Sequence, residues 1–290
     1  VEDLARRLAG IGAVTGLEQR MVDTLLSLLP GSRRDRAGNA VLTLGTGASR
    51  RLAVCPVDEP GYVVGHLRDD GYLTLRRSPG PISRARDAQL EGQRVSIATA
   101  GGLVPGVVAV RSIHLTRGRD RIPGGFTVDS ALVDVGAGTK AEVEALGIRT
   151  LDPVTLTKRP HGYGGDLLAS PVVGRRAACA ALIVAARRAA AEQTMIPRRQ
   201  SVVIAFVVEH ELSGRGIGTI VNSAGPFRET VIVSGDSAAA AGLAARWPAL
   251  GVVTAEPLAV RYPGTPVETV ALSDGERLAE KLAWWIGGSR

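Results

Sequence analysis

The stretch Ser201-Val-Val-Ile-Ala-Phe-Val-Val-Glu-His-Glu-Leu-Ser-Gly-Arg-Gly216 decides the fold class of this chain. Its unbroken apolar run predicts a β-strand buried on both faces, as in the interior of an α/β sheet. The run ends in the triplet Glu209-His210-Glu211, and a glycine-rich turn and a short helical segment follow. A second apolar strand, Thr230 to Val233, precedes Asp236. Because ligands of open α/β sheets bind outside the carboxyl ends of the strands, these acidic residues mark the candidate site.

The composition is that of an ordinary globular protein, with 45% hydrophobic and 22% charged residues in 290. The net charge of +7 comes from arginine, and many of the arginines occur in scattered pairs. A nucleic-acid-binding protein would more often show one basic stripe with aromatic residues interleaved, so no nucleic-acid partner is expected. An anionic partner stays open. No apolar stretch reaches the length that spans a bilayer, so no membrane partner is expected either.

The two cysteines, Cys55 and Cys179, each lie in an apolar run. This placement predicts two buried free thiols in a reducing compartment rather than a disulfide framework. The first residues of the chain carry charges where a signal peptide would need an apolar region. Together these observations predict a cytoplasmic protein.

The pattern of helices and strands predicts an α/β sandwich interrupted by a smaller domain. Long α/β elements, including an alanine-rich helix over 175–193, occupy residues 1–75 and 167–290. Between them, residues 76–166 alternate short β-like runs with glycine and proline, which is typical of a β-rich domain. A hairpin is expected about Asp69-Asp70-Gly71, just before this insert.

Several local patterns occur in an order that resembles the tetrahedral (TET) metallo-aminopeptidases, the family of glutamyl and deblocking aminopeptidases. The matching segments are Thr15-Gly16-Leu17-Glu18, 35–39, 55–61, 106–114, 133–136, 146–148, 210–216 and 261–268. The resemblance implies a zinc-aminopeptidase-like α/β sandwich with a mixed central sheet. It also implies assembly of dimers into hollow dodecamers through the insert, so a homo-oligomer, a dimer or higher, is expected.

The resemblance further implies two zinc ions and a glutamate that acts as general base. In this chain Glu211 and Asp236 stand where the family has a ligand glutamate and a ligand aspartate, and His210 stands at the general-base position. Three positions have lost their ligand atoms, because Pro56 and Gly264 replace histidines and Gly174 replaces the bridging aspartate. Since catalytic zinc sites use three protein ligands, we expect that the dinuclear centre does not form.

The remaining polar residues leave alternatives open. Glu211 and Asp236 either hold one weakly bound metal ion or pair with Arg175 or Arg176, and ion pairing is favoured. The same two arginines also suggest a small anionic ligand, such as a carboxylate or a phosphate. His210 is either a base or a hydrogen-bonded loop histidine, which is the favoured interpretation.

Asp58 and Glu59 follow the predicted strand that contains Pro56. By resemblance they would orient the missing histidine, so structural hydrogen bonding is the role left to them. Asp58 also remains a candidate for any chemistry that persists.

The favoured hypothesis is a pseudo-peptidase that binds a peptide or partner protein, or serves as an assembly scaffold, without a cofactor. The alternative is an active hydrolase that uses zinc or cobalt at a remodelled or mononuclear site of Glu211, Asp236, His210 and Asp58. A minor alternative is dinucleotide binding by Gly214-Arg-Gly216-Ile-Gly218. The latter is disfavoured because residues 209–213 separate the strand from the first glycine and the glycine spacing is irregular.

Overall fold

The computed structural model describes residues 1–80, 84–110, 126–191, 196–212, 214–234 and 239–288. The chain divides into two units, one made of Val1–Glu59 with Arg159–Arg290 and the other of Pro60–Lys158. The helices are α1 (Glu2–Ala9), α2 (Gln19–Leu28), α3 (Arg84–Ala88), α4 (Lys140–Ala145), α5 (Val173–Ala191), α6 (Arg215–Ala224), α7 (Ala239–Arg246) and α8 (Leu272–Gly287).

The strands of the first unit belong to two sheets. They are β1 (Arg33–Arg34), β2 (Ala40–Gly45), β3 (Ser49–Pro56), β10 (His161–Tyr163), β11 (Leu167–Ala169), β12 (Gln200–Val207), β13 (Glu229–Ser234), β14 (Val252–Pro257) and β15 (Thr269–Ala271). A six-stranded sheet has the order β1-β2-β12-β3-β13-β14, and an antiparallel three-stranded sheet has the order β10-β11-β15.

The six-stranded sheet is mixed, as the family resemblance implies. Its strands β12, β3, β13 and β14 are parallel, whereas β1 and β2 are antiparallel to their neighbours. Because β12, β3 and β13 are adjacent and parallel, their carboxyl ends meet at one edge of the sheet. That edge is where the sequence places the candidate site.

The strand β12 is buried on both faces, which confirms the prediction made from its apolar run. Val202, Ile204 and Phe206 pack into the core that contains α1, α2, α5 and α8. The alternate residues Val203, Ala205 and Val207 pack into a second core with α6 and α7. The sheet is therefore covered by helices on both sides, and this explains why β12 has no polar face.

The helix α5 is buried over most of its circumference, which its alanine-rich sequence permits. Alanine has the highest intrinsic helix propensity, and its short side chain lets neighbouring elements approach closely. The helix packs against α1 and α8. Its first turn presents Arg175 and Arg176 beside the end of β3.

The second unit is a closed barrel of antiparallel strands in the order β4-β5-β8-β7-β6-β9. These strands are β4 (Tyr62–Leu67), β5 (Leu73–Arg77), β6 (Arg94–Thr99), β7 (Gly102–Val108), β8 (Leu132–Asp134) and β9 (Pro153–Leu156). The hairpin predicted about Asp69-Asp70-Gly71 is present as β4 and β5. Because β4 pairs with β9 and β5 pairs with β8, this hairpin supplies two strands of the barrel wall. The unit therefore begins at Pro60 rather than at residue 76.

The prediction of free thiols is wrong, because Cys55 of β3 and Cys179 of α5 form a disulfide. Both residues are buried, as expected. They lie 124 residues apart in the chain, and packing of α5 on the sheet brings their Cα atoms to 5.7 Å. The reducing compartment was inferred from free thiols, and the disulfide removes the basis of that inference. No helix within the described ranges has the length and apolar character needed to cross a membrane.

Candidate functional site

The candidate site is built from four chain segments at the carboxyl edge of the six-stranded sheet. Residues 13–18 precede α2, residues 57–59 follow β3, residues 209–211 follow β12, and residues 174–176 open α5. The first two segments are joined in the manner of a short sheet, since Thr15 donates its backbone N–H to Glu59 and Glu59 donates to Ala13. The fold therefore brings together residues that are far apart in the sequence.

Asp58 lies at the centre of this site and is fully buried. Its Oδ2 accepts hydrogen bonds from the Thr15 hydroxyl at 3.1 Å and from the Glu211 backbone N–H at 2.9 Å. Its Oδ1 lies 3.6 Å from a guanidinium nitrogen of Arg175. A buried carboxylate is stable only when such partners replace its lost hydration, and Asp58 obtains them from three segments.

Arg175 joins the two acidic segments. Its guanidinium donates to Glu211 Oε1 at 2.8 Å and to the backbone carbonyl oxygen of Asp58. Burial alone would lower the pKa of Arg175, but the charges of Asp58 and Glu211 raise it above its usual value. Glu211 thus forms the ion pair that the sequence favoured for it.

Arg176 forms a second buried ion pair beside the first. Its side chain is only 1% exposed and lies 3.3 Å from Glu59 Oε1. It also donates to the backbone carbonyl oxygen of Val57, while Glu59 Oε1 accepts the backbone N–H of Ala13 at 2.8 Å. Burial lowers the pKa of Arg176, and Glu59 opposes that effect. The small anionic ligand suggested for Arg175 and Arg176 stays a prediction.

Glu18 is a member of the site to which the sequence assigned no role. Its Oε1 accepts the backbone N–H groups of Gly16 and Glu209, each at 2.9 Å. Burial raises the pKa of Glu18 to about 7, the Asp58 charge adds to this rise, and the two N–H donors oppose it. Glu209 itself has a backbone φ of 51°. The matching element Thr15-Gly16-Leu17-Glu18 was the available signal for this residue.

Glu268, the last residue of the matching segment 261–268, is a second member to which the sequence assigned no role. Its carboxylate accepts the backbone N–H of Gly174 at 2.8 Å and that of Gly264 at 3.0 Å. These are two of the three positions that lack the expected ligand side chains. Glu268 therefore ties the loop of residue 264 to the first turn of α5 through main-chain groups alone.

The structure places the remaining predicted residues less centrally. Pro56 is the last residue of β3 and is buried, with its backbone in register with Val207 of β12. His210 lies in the turn after β12, where its carbonyl oxygen accepts the N–H of Gly214 at 3.0 Å. Asp236 lies outside the described residues.

Comparison with known proteins decides the family. A model of the M42 glutamyl aminopeptidase family matches residues 38–240, which is more than half of the chain. The chain belongs to the M42 glutamyl aminopeptidase family. This confirms the resemblance found in the sequence motifs.

Curated aminopeptidases match part of this chain. The lysyl aminopeptidase of Pyrococcus furiosus is 31% identical over 134 residues, which cover 46% of this chain and 38% of that enzyme. The chain spans less than half the length of the curated relatives that it matches.

Solved structures share the fold along nearly the whole chain. The TET1 peptidase of Pyrococcus horikoshii, which can assemble into a tetrahedron or a large octahedral shell, is 20% identical with a TM-score of 0.85 and 98% coverage of both chains. The aminopeptidase APDkam598 of Desulfurococcus kamchatkensis is 19% identical with a TM-score of 0.77, covering 99% of this chain and 94% of that one. Both confirm the predicted α/β fold class.

The described residues of this M42 chain do not fit the two zinc ions that the family resemblance implies. No group of three or more His, Cys, Asp or Glu side chains in the described ranges is arranged to hold a metal ion. Pro56, Gly174 and Gly264 carry no ligand atom, and the carboxylates of Asp58 and Glu211 are paired with the Arg175 guanidinium. A metal ion placed between these carboxylates would have to displace the Arg175 guanidinium.

Proposed function

We propose that this M42 chain is a pseudo-peptidase that acts as a binding or assembly scaffold rather than as a metal-dependent peptidase. The observation that supports this proposal is the position of Arg175. Its guanidinium bonds Glu211 at 2.8 Å and approaches Asp58 at 3.6 Å, so a protein cation stands where the carboxylates would need a metal cation.

Two physical arguments support the replacement. First, like charges a few ångströms apart in a poorly solvated site repel one another strongly, so a divalent ion and Arg175 cannot share the two carboxylates at low cost. Second, hydrolysis in a zinc peptidase needs a bound water made acidic by the metal, and that needs three protein ligands with an open position. The positions of Pro56, Gly174 and Gly264 supply none of these ligands.

A second candidate function is hydrolysis at a remodelled site. Glu18 favours it, because a carboxyl group with a pKa of about 7 lies close to the pH at which a general base works best. Against it, Glu18 Oε1 already accepts two backbone N–H groups of the protein. This arrangement fits a structural role for Glu18 as well as it fits a catalytic one.

The test begins with the full chain purified without chelators. We expect elemental analysis to find far less than one zinc per chain, and no turnover of aminoacyl p-nitroanilides with added zinc or cobalt. About two zinc ions per chain with peptidase turnover would overturn the proposal, and turnover without bound metal that is lost in Glu18→Gln would favour the second candidate.

A reversion series asks whether Arg175 keeps the metal out. The full reversion combines Pro56→His, Gly174→Asp and Gly264→His, which restore the ligands that the family resemblance implies, with Arg175→Asn, which removes the guanidinium. We expect this variant to gain zinc, while the matched control with Pro56→His, Gly174→Asp and Gly264→His retains Arg175 and stays metal-poor. Equal zinc content in the control and the full reversion would remove Arg175 from the explanation. Thermal unfolding of both variants verifies that they fold.

Assembly is the part of the proposal that rests on similarity of fold. The TET1 peptidase of Pyrococcus horikoshii can assemble into large shells, and we propose that this chain also forms a homo-oligomer. Native mass spectrometry should show a dimer or a larger species at micromolar concentration. A monomer over the whole concentration range would remove the assembly role and leave ligand binding.

A further inference from the structure

A cleft of about 750 Å³ in the first unit lies between the segment 33–36 and the outer part of α6. None of its lining residues belongs to the site around Asp58 and Arg175. One wall carries Arg33, Arg34 and Arg36, and the other carries Thr219, Asn222 and Ser223 of α6. Arg34 is paired with Asp23, so the cleft combines the cations of Arg33 and Arg36 with a wall of neutral hydrogen-bonding side chains.

Strand register sets the direction in which the neighbouring arginines point. Arg33 is paired with Val41, whose side chain lies in the core that contains α6. Arg34 is paired with Ala40, whose side chain lies in the opposite core, and Arg34 binds Asp23 of α2 at 2.5 Å. Because directly opposed residues of a strand pair point to the same face, Arg33 lies on the α6 side and Arg34 on the α2 side.

Of the three arginines that line the cleft, Arg33 and Arg36 are not neutralised by ion pairs within the described part of the chain. No carboxylate there lies within 4.0 Å of the guanidinium of Arg33 or Arg36. The one acidic residue of the lining is Asp35, and its oxygens accept the backbone N–H groups of Ala37 and Asn39 and the Asn39 amide at 2.7–2.9 Å. The Asp35 carboxylate is thus engaged within its own turn, and the cleft carries a net positive charge.

The two walls are fixed to one another before any ligand arrives. Asn39, which is fully buried, donates to the backbone carbonyl oxygen of Gly216 in α6 at 2.9 Å. It also accepts the backbone N–H of Val208, directly after β12, at 3.0 Å. The turn that carries Arg36 is therefore held against the first turn of α6, which lowers the cost of ordering the cleft on binding.

We propose that this cleft binds a phosphomonoester. Two guanidinium groups match the charge of a phosphate dianion and donate in the forked geometry that phosphate oxygens accept. The Asn222 amide and the hydroxyls of Thr219 and Ser223 line the opposite wall. A volume of about 750 Å³ exceeds that of a phosphate group alone and leaves room for the organic part of the ligand.

The test is isothermal titration calorimetry on the full chain at low ionic strength, with inorganic phosphate, glucose 6-phosphate and adenosine 5′-monophosphate as probes. We expect an organic phosphate to bind more tightly than inorganic phosphate. Arg33→Gln and Arg36→Gln should each weaken binding by about tenfold, the loss typical of one charge-assisted hydrogen bond. Asn222→Ala should weaken it by a smaller factor.

Arg34→Gln is the matched control, because it removes the same charge from an adjacent lining residue whose guanidinium is already paired with Asp23. We expect it to keep affinity within about twofold of wild type, since Arg34 is already paired with Asp23. Equal losses in Arg33→Gln and Arg34→Gln would overturn the proposal and indicate unspecific attraction. Failure of all three probes to bind the wild-type chain would also overturn it. Equal affinity for inorganic and organic phosphates would retain an oxyanion site and reject the organic subsite. The exposed position of all the substituted residues favours folding of the variants, and their melting temperatures without ligand check this.

Discussion

Replacing Glu18 with glutamine should remove a pH dependence of stability that the wild-type chain shows between pH 4.5 and 7. Burial raises the pKa of Glu18 from 4.5 to about 7 in the folded state. Within that window the folded chain holds a proton that the unfolded chain has released. Stability from this group is therefore present below pH 4.5 and is lost as the pH rises through 7.

The magnitude follows from the size of the shift. A difference of about 2.5 pKa units corresponds to about 3 kcal/mol in the free energy of unfolding, at 1.36 kcal/mol per unit. Glutamine keeps the oxygen that accepts the N–H groups of Gly16 and Glu209, and it replaces only the titrating part of the carboxyl group. Glu18→Gln should thus gain about 3 kcal/mol relative to wild type between pH 4.5 and pH 8.

The assay is urea unfolding of both chains at half-unit steps from pH 4.5 to pH 8. The quantity to follow is the difference between the two free energies of unfolding, because it cancels every other titrating group. A difference that stays constant over this range would refute the buried, proton-binding state of Glu18. A difference that changes in the opposite direction would indicate that hydrogen bonding outweighs burial.

Three further predictions concern the ion pairs, the disulfide and one close packing contact. Arg175→Gln should destabilise the chain by about 3–5 kcal/mol, because it leaves buried carboxylates unpaired. The control is Arg215→Gln, which removes an arginine that is 67% exposed in its ion pair and should cost less than about 1 kcal/mol. Similar urea midpoints for the two variants would contradict this prediction. Replacing both cysteines with alanine should lower the free energy of unfolding by about 2–5 kcal/mol. Calorimetry of the wild-type chain with and without a reductant checks the disulfide, and an unchanged melting temperature would argue against it in solution. Gly216→Ala should cost about 1–3 kcal/mol in stability, since a Cβ would lie 2.3 Å from the carbonyl oxygen of Val208. Gly242→Ala on α7, where a Cβ would meet no other atom, should instead stabilise the chain by about 0.5–1 kcal/mol. Equal melting temperatures for the two variants would contradict the packing argument.

The sequence predicted the parts of the fold that depend on local periodicity. The apolar run of β12 and the alanine-rich α5 were identifiable because each carries its burial pattern within one element. The gathering of Asp58 and Glu211 at one place was also predictable, since these acids follow strands and strand ends meet at one edge of a parallel sheet. The order of the motifs along the chain indicated the family, and the match of the family model over residues 38–240 confirms it.

The parts that the sequence did not predict depend on contacts between distant segments. The disulfide joins residues 124 positions apart, and nothing local to either cysteine indicates the other. The carboxylate of Glu268 binds the backbone of Gly174 and Gly264, and main-chain donors leave no trace in residue identity. The hairpin of β4 and β5 was recognised from its turn, but its membership of the barrel is fixed by pairing with β8 and β9.

The disulfide has a consequence for the chain as a polymer. Cys55 precedes the barrel unit of Pro60–Lys158, and Cys179 follows it. The covalent loop closed by the two cysteines therefore encloses the whole barrel. A protease that cuts once anywhere in that loop produces two fragments that stay linked and travel as one band on a denaturing gel until a reductant is added. Nicking of the barrel alone cannot separate the two flanking parts of the six-stranded sheet.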